Sequence, residues 1–147
     1  MKKIVPNKPC NELKIEQLYA ESKNWIEEIE FMNVEQDFFR ELIIDHTLEI
    51  CNTSNYNEAK FLLKGIEHER KLGKTLITDI KEHSVNLALL LDNIYLKKEK
   101  QFRNNHEALK IEVINYIENF KFIKKEVFKL ILHVMKKEKQ QRLLAIK

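Results

Sequence analysis

The distribution of proline constrains the fold of this chain more than any other feature of its sequence. Both prolines, Pro6 and Pro9, lie in the first ten residues, so the rest of the chain lacks the strongest helix breaker. Only two glycines are present, and residues that favour helices, such as Lys, Glu, Leu and Ile, are abundant. Because β-hairpins need turn residues that are scarce here, the sequence predicts an all-α protein.

Apolar residues at spacings of three and four predict long helices after an extended lead at residues 1–10. The first helix is predicted over about 11–51 and contains the single tryptophan, Trp25. A cluster of turn-forming residues at 52–55 ends this helix. A second amphipathic helix is then predicted over about 56–96.

The second turn has no glycine or proline to mark it. Asn104 and Glu107 have the spacing of a capping box, which favours a turn near Lys97–Asn104 and a third helix over about 105–140. Short connections make consecutive helices antiparallel neighbours. The sequence therefore predicts one domain over 1–147, an elongated, coiled-coil-like, up-down-up bundle of three long antiparallel helices.

Three short motifs carry a resemblance to known proteins. They are W-I-x-E-I-x-F at residues 25–31, I-E-H at residues 66–68, and His106 at the entry to the third helix. The chain resembles a set of small uncharacterised all-helical bacterial proteins with three long helices. The resemblance covers most of the chain after the lead, and it implies a fold without implying an activity.

The charged residues are unevenly distributed. Residues 1–60 carry 12 acidic and 7 basic residues, whereas residues 96–147 carry 6 acidic and 14 basic residues. The basic third helix leaves open a binder of nucleic acid or anionic membrane. However, the segment is rich in lysine and poor in arginine, so it offers few bidentate donors for reading bases. Complementarity between an acidic first helix and a basic third helix is the preferred interpretation, and neither nucleic acid nor membrane is an expected partner.

Five histidines among many carboxylates raise the hypothesis of a metal-binding or redox bundle. The Glu-x-x-His pairs of di-metal bundles and the H-E-x-x-H motif are both absent. The closest approach to a cluster lies near one end and is centred on His46, with Glu41, Asp45, Glu69 and His133 as the other candidates. Solvated or hydrogen-bonded histidines are the favoured alternative, so the sequence predicts no metal and no cofactor.

Motifs for catalysis are also missing. There is no G-x-S-x-G and no glycine-rich phosphate loop, and Cys51 has no histidine on the same helical face. Cys10 and Cys51 would lie roughly 60 Å apart along one helix, which excludes a disulfide between them within that helix. The sequence thus predicts a non-enzymatic cytoplasmic protein with reduced thiols, and it leaves an intermolecular disulfide or a reactive thiol open.

The reverse side of the first helix is the best sequence signal for a partner. Phe31, Val34, Phe38 and Leu42 lie roughly opposite the main apolar stripe, where a helix of a three-helix monomer has no need of apolar residues. Helix twist and contacts with the third helix on one flank would also account for them. The preferred hypothesis is an interaction or structural protein that binds a protein partner or forms a homodimer through this face.

Overall fold

A computed structural model of the chain describes residues 13–145, and these residues form helices and no strands. The all-α prediction is therefore confirmed for the described part of the chain. The predicted lead at 1–10, including Cys10, lies outside it. The elements are α1 (Ile15–Asp45), α2 (Thr47–Asn52), α3 (Tyr56–Leu91) and α4 (Glu99–Ala145), with a short 3₁₀ turn at Leu96–Lys98 before α4.

The helix predicted over 11–51 is in fact two helices separated at His46, so the prediction of one continuous helix was wrong. The backbone of His46 has φ −103° and ψ 20°, outside the helical region. Its amide donates to the Ile43 carbonyl over 3.2 Å, and its Nδ1 donates to the Leu42 carbonyl over 2.9 Å. Local hydrogen bonds therefore satisfy the backbone at a break that no glycine or proline marks.

The two turns between the long helices have the same local structure. In each, a residue in the left-handed conformation is followed by a residue whose amide donates back to a carbonyl of the preceding helix. Ser54 has φ 62°, and the next amide, of Asn55, donates to the Ile50 carbonyl over 3.2 Å. At the second turn Asn93 has φ 62°, and the Ile94 amide donates to the Leu89 carbonyl over 2.8 Å. This pattern closes helices by satisfying carbonyls that the helix leaves unpaired.

The second turn lies earlier than predicted. The helix predicted to reach residue 96 ends at Leu91, and the helix predicted over 105–140 begins at Glu99 and ends at Ala145. Asn104 lies inside α4, so its capping role was wrong. Asn93 accounts for the true position, because asparagine adopts the left-handed conformation more readily than most residues.

The sequence predicts one domain, and the described residues pack as two compact units. The first unit contains the described residues up to Met32 together with Leu72–Ile117. Its core comprises two clusters of buried apolar side chains from α1, α3 and α4. One is formed by Trp25, Ile26, Ile29, Leu76, Ile80, Val113 and Tyr116, and the other by Leu18, Leu87, Leu90 and Phe102.

The second unit contains Asn33–Lys71 together with the described residues from Glu118 onward. Phe39 packs edge-on against Phe128, with ring centroids 5.2 Å apart, and lies 6.2 Å from Phe120. A Cβ added to Gly65 would approach Ile123 Cδ1 to 3.4 Å, so α3 and α4 come close together in this unit. Other buried apolar side chains of the unit are Ile43, Ile50, Ala59, Leu62, Ile66, Val127, Leu130, Ile131 and Val134.

A helix that crosses a bilayer needs about 20 predominantly apolar residues. No helix within residues 13–145 meets the requirement for both length and apolar character.

Candidate functional site

Polar side chains occupy helix positions in the first unit that the apolar periodicity reserves for the core. On α4, His106 follows Phe102 by four residues and precedes Val113 by seven, so it lies on the buried face. On α3, His83 and the adjacent Ser84 lie between the buried Ile80 and Leu87. Buried polar groups are stable only when they are hydrogen-bonded, so the partners of these side chains decide what the site can do.

The two histidines and a glutamate form a continuous hydrogen-bonded chain across three helices. His83 Nε2 lies 2.8 Å from His106 Nδ1, and His106 Nε2 lies 2.8 Å from Glu21 Oε1. His106 is fully buried and stacks on Trp25, with ring centroids 4.6 Å apart and an angle of 26° between the planes. The indole therefore holds the His106 ring between the two hydrogen bonds.

The partners of the chain determine its hydrogen-bond direction when both imidazoles are neutral. The Glu21 carboxylate can only accept, so His106 Nε2 carries the proton and donates to it. His106 Nδ1 then has a lone pair, so His83 Nε2 carries the proton and donates to His106. This leaves Nδ1 of His83 as an acceptor, and that buried atom has no hydrogen-bond partner among residues 13–145.

The environment of His83 favours its neutral form. Burial and, to a smaller extent, the neighbouring His106 together lower the pKa of His83 from its usual 6.5 to about 4. The neutral ring matches the direction of the chain, in which Nδ1 of His83 is an acceptor. At neutral pH Nδ1 of His83 thus keeps an unshared lone pair at a buried position.

A second buried polar contact lies beside this chain. Ser22 Oγ donates to the Tyr19 carbonyl over 2.7 Å, and it lies 2.8 Å from Ser84 Oγ. Because the Ser22 proton is used in the first bond, Ser84 is the donor in the second. The pair satisfies the polar residue that interrupts the apolar stripe of α1.

A groove of about 350 Å³ lies between α3 and α4 in the first unit, and His83 lines it. Each helix contributes side chains at i, i+3, i+4 and i+7, which is one helical face. None of the lining residues is lysine or arginine. They are Asp79, Glu82, His83 and Asn86 of α3, and Asn105, Ala108, Leu109 and Glu112 of α4.

The structure does not bring the predicted metal candidates together. Within residues 13–145, no group of three or more His, Cys, Asp or Glu side chains is arranged to hold a metal ion. Glu41 and Asp45 are exposed on α1, and His133 is exposed on α4. Glu69 is buried on α3, where desolvation raises its pKa.

His46, the centre of that hypothesis, has a basic environment. It lines an open groove of about 690 Å³ in the second unit together with Lys136, Lys139 and Arg142 of α4, and Glu138 is the only carboxylate there. Cationic side chains disfavour a bound metal cation. Its Nδ1 is also engaged by the Leu42 carbonyl.

The predicted partner face of α1 has exposed apolar side chains. Phe31 lies in the first unit and is 52% exposed, while Val34 and Phe38 lie in the second unit and are 64% and 58% exposed. Leu42 is half-buried. Phe38 contacts the buried Phe39, with ring centroids 5.5 Å apart.

Apolar side chains of α4 are also exposed in the second unit. Phe128, which packs on Phe39, is 46% exposed, and Leu132 and Met135 are 56% and 49% exposed. These three residues are spaced i, i+4 and i+7, which places them on one side of α4. The exposed Phe38 and the exposed Phe128 therefore contact the same buried ring, from α1 and from α4 respectively.

Sequence reasoning missed the histidine pair because it placed the second turn too late. With a turn at 97–104, His83 is not level with His106. With the turn at 92–95, the two histidines face each other across neighbouring helices. The available signal was the spacing of Phe102, His106 and Val113, which is a helical face that begins before the predicted start of the third helix.

Comparison of the chain with protein-family models, with curated proteins and with solved structures finds no match.

Proposed function

We propose that this protein is a non-enzymatic helical interaction protein that self-associates through α1 and α4. The interface would use the α1/α4 surface of the second unit, defined by Val34, Phe38, Phe128, Leu132 and Met135. Leu42 of the predicted α1 face extends its stripe along the same helix, whereas Phe31 belongs to the first unit. The observation that carries the proposal is the half-exposed pair Phe38 and Phe128, which both contact the buried Phe39.

Exposed aromatic rings of this kind favour association. Aromatic side chains are enriched in the buried centres of protein interfaces, because they lose much apolar area to the partner at little conformational cost. A single exposed apolar residue needs no explanation, but the second unit exposes five of them on α1 and α4, two helices that meet at Phe39 and Phe128. The grouping supports a surface that a partner covers.

The charges that flank this surface indicate which partner fits. Between residues 33 and 45, α1 carries four acidic side chains and one basic side chain. From residue 118 to residue 145, α4 carries eight basic and three acidic side chains. Two α1 stretches would repel each other, whereas the α1 stretch of one copy and the α4 stretch of another attract.

The occupant is therefore a second copy of this chain. In a twofold dimer, α1 of each copy would lie against α4 of the other, so each acidic apolar stripe meets a basic apolar stripe. Within one chain, Lys124 Nζ already lies 2.6 Å from Glu35 Oε2, which is the same charge pairing between the same two helices. Lys125, Lys136, Lys137 and Lys139 remain available at the surface for pairing with a partner.

The proposal also includes two features that the sequence predicts. They are the up-down-up, coiled-coil-like arrangement of the three long helices and a cytoplasmic location. The exposed free thiol of Cys51 supports a reducing compartment.

Sedimentation equilibrium tests the proposal. Wild-type protein at tens of micromolar is expected to form dimers, and Phe38→Asn is expected to shift them towards monomers. Phe61→Asn removes another exposed phenylalanine, on α3, and serves as the matched control. A monomeric wild type that instead binds duplex DNA or anionic vesicles in a salt-sensitive manner would overturn the proposal in favour of the basic-surface alternative.

A further inference from the structure

We propose that mild acid opens the first unit selectively: a proton taken up by the buried His83 disrupts the packing of this unit, and the second unit stays folded. The opened unit would expose the apolar cluster around Trp25, which is buried at neutral pH. The α1/α4 surface is defined by residues of the second unit, so the inference does not rest on the self-association proposal.

The described histidines are distributed unequally between the two units. His83 and His106 belong to the first unit and are both buried, whereas the histidines of the second unit are half-buried or exposed. Those of the second unit are His46, His68 and His133. Histidine is the side chain whose charge normally changes between about pH 5 and pH 8. Proton uptake by an exposed ring costs little, but uptake by a buried ring adds a charge to a core, so mild acid acts mainly on the first unit.

The hydrogen bonds of His83 suit its neutral ring. The protonated ring would carry its added proton on Nδ1, because Nε2 already holds one and donates it to Nδ1 of His106 over 2.8 Å. Nδ1 of His83 is buried and has no hydrogen-bond partner among residues 13–145. Protonation would therefore leave both a charge and an unpaired donor in the core. The low pKa of this ring, about 4, reflects the same cost of burial.

The charged groups near His83 provide no counter-charge in contact with its ring. They are Glu21 of α1, Asp79 and Glu82 of α3, and His106 and Glu112 of α4. The carboxylates on α3 and α4 are exposed, so solvent screens them, and none of them bonds to the ring. Glu21 is on the other side of His106, which is itself either neutral or positive. The other buried charged side chains of the unit, Glu28 and Lys110, have opposite signs.

The buried charged side chain of the second unit responds to acid in the opposite direction. Among the described residues of that unit it is Glu69, which is only 3% exposed. Burial raises the pKa of Glu69, against a smaller opposing effect of His68. Because the folded unit then binds the proton more tightly than the unfolded chain, its stability rises as the pH falls. The same acidification thus destabilises the first unit and stabilises the second.

Methyl NMR of the full chain labelled at isoleucine follows each unit separately during urea unfolding. Ile29 and Ile80 are buried in the first unit, and Ile43 and Ile66 are buried in the second. Because the opened first unit binds one more proton than the closed one, its opening constant should rise about tenfold for each pH unit between about pH 6.5 and pH 4.5. At about pH 4.5 the first-unit methyls should therefore unfold at less urea than the second-unit methyls, with a wider gap than at about pH 7.5. Equal midpoints at the lower pH, or a gap that does not widen, would overturn the proposal.

Three variants assign the effect to one ring. His83→Gln keeps a donor towards His106 and takes up no proton, so its gap between the two units should not widen in acid. His133→Gln removes an exposed histidine of the second unit and should behave as the wild type does. Glu21→Gln alters the other end of the hydrogen-bonded series and should also keep the widening. Loss of the widening in Glu21→Gln, or its persistence in His83→Gln, would overturn the role of His83.

Fluorescence of the wild-type chain avoids variants that disturb the core. Trp25 is the single tryptophan, it belongs to the first unit, and it stacks on His106 with ring centroids 4.6 Å apart. In urea just below the midpoint at neutral pH, its emission should move to longer wavelength as the pH falls below about 6.5, while the methyl signals of Ile43 and Ile66 stay native. A change that begins only below about pH 4 would assign the opening to carboxylates and contradict the proposal.

Discussion

Nε2 of His83 and Nδ1 of His106 lie 2.8 Å apart in the interior of a helical unit, where apolar periodicity alone would place two aliphatic side chains. The contact joins α3 to α4, and Glu21 of α1 completes the chain at the other side of His106. One hydrogen-bonded line thus crosses all three long helices. A buried polar network of this kind specifies one arrangement of the helices, because any other arrangement leaves its members unpaired.

Acidification is expected to destabilise the protein through His83. Its pKa is about 4 in the folded chain and about 6.5 when unfolded, so the unfolded chain takes up the proton first. The stabilisation is complete above pH 6.5 and is lost as the pH falls towards 4, at a cost of about 3 kcal/mol. Urea unfolding across this range measures it, and His83→Gln, which keeps a donor towards His106, should remove most of the dependence.

Other ionisable groups lie near the His83 ring or in the hydrogen-bonded network that it joins. They are Glu21 of α1, Asp79 and Glu82 of α3, and His106 and Glu112 of α4. A proton NMR titration of the His83 ring separates its own protonation from theirs. A midpoint near 6.5 for that ring would contradict the prediction.

Replacing His106, the middle member of the hydrogen-bonded series, is expected to lower the free energy of unfolding more than replacing Glu21, its partly solvated end. His106→Leu leaves His83 Nε2 and the Glu21 carboxylate unpaired, which should lower the free energy of unfolding by about 2–4 kcal/mol. Glu21→Gln keeps a side-chain oxygen that accepts from His106, so it should cost about 1 kcal/mol. Chemical denaturation of both variants checks the order, and equal losses would argue against a connected chain.

The serine pair offers a smaller test of hydrogen-bond direction. Ser84 donates to Ser22, which itself donates to Tyr19. Ser22→Ala removes both bonds and is expected to cost about 2 kcal/mol, whereas Ser84→Ala removes one and should cost about 1 kcal/mol. The double variant should cost less than the sum, because the two substitutions remove the same contact. Strict additivity in thermal unfolding would refute the pairing.

Glu69 is expected to weaken the second unit at neutral pH. Burial raises its pKa despite the opposing charge of His68, and its Oε2 has no partner in the described chain. Because the folded-state pKa lies above the unfolded one, stability rises as the pH falls through it. Glu69→Gln should therefore stabilise the protein at neutral pH, by an amount on the order of 1 kcal/mol. Glu67→Gln, at an exposed neighbour, is the control, and a larger gain there would contradict the prediction.

The helical class was predictable because it depends on composition and on local apolar spacing. Neither depends on how one helix is aligned with another. The absence of proline after Pro9 and the apolar spacings of three and four led to long helices, and α1, α3 and α4 have 31, 36 and 47 residues. The first turn at 52–55 was also readable, because four turn-forming residues occur together there. These signals are local, and each concerns one helix or one turn.

The buried site was not predictable in the same way, because it depends on the pairing of residues distant in sequence. His83 and His106 are 23 residues apart and meet only when the turn between them lies at Asn93. Tyr95 adds to the difficulty, since it has φ 62° although tyrosine rarely adopts that conformation. The break at His46 has no glycine or proline and was invisible for the same reason, since its stability comes from side-chain and backbone contacts.

The proposed self-association depends on which charges meet, so a mixing experiment with two charge-reversed variants tests it most directly. One variant carries Glu41→Lys and Asp45→Lys on α1, and the other carries Lys125→Glu and Lys136→Glu on α4. All four side chains are exposed. Each variant alone opposes like charges at the proposed interface, whereas a mixed dimer opposes unlike charges on both sides.

Sedimentation equilibrium of the two variants, alone and mixed in equal amounts at tens of micromolar, measures the outcome. Self-association through α1 of one copy and α4 of the other predicts that the wild type is dimeric and that each charge-reversed variant is monomeric when alone. It also predicts that the mixture forms a one-to-one dimer that dissociates as salt is raised. A wild type that remains monomeric, or a mixture that remains monomeric while the wild type dimerises, would contradict it.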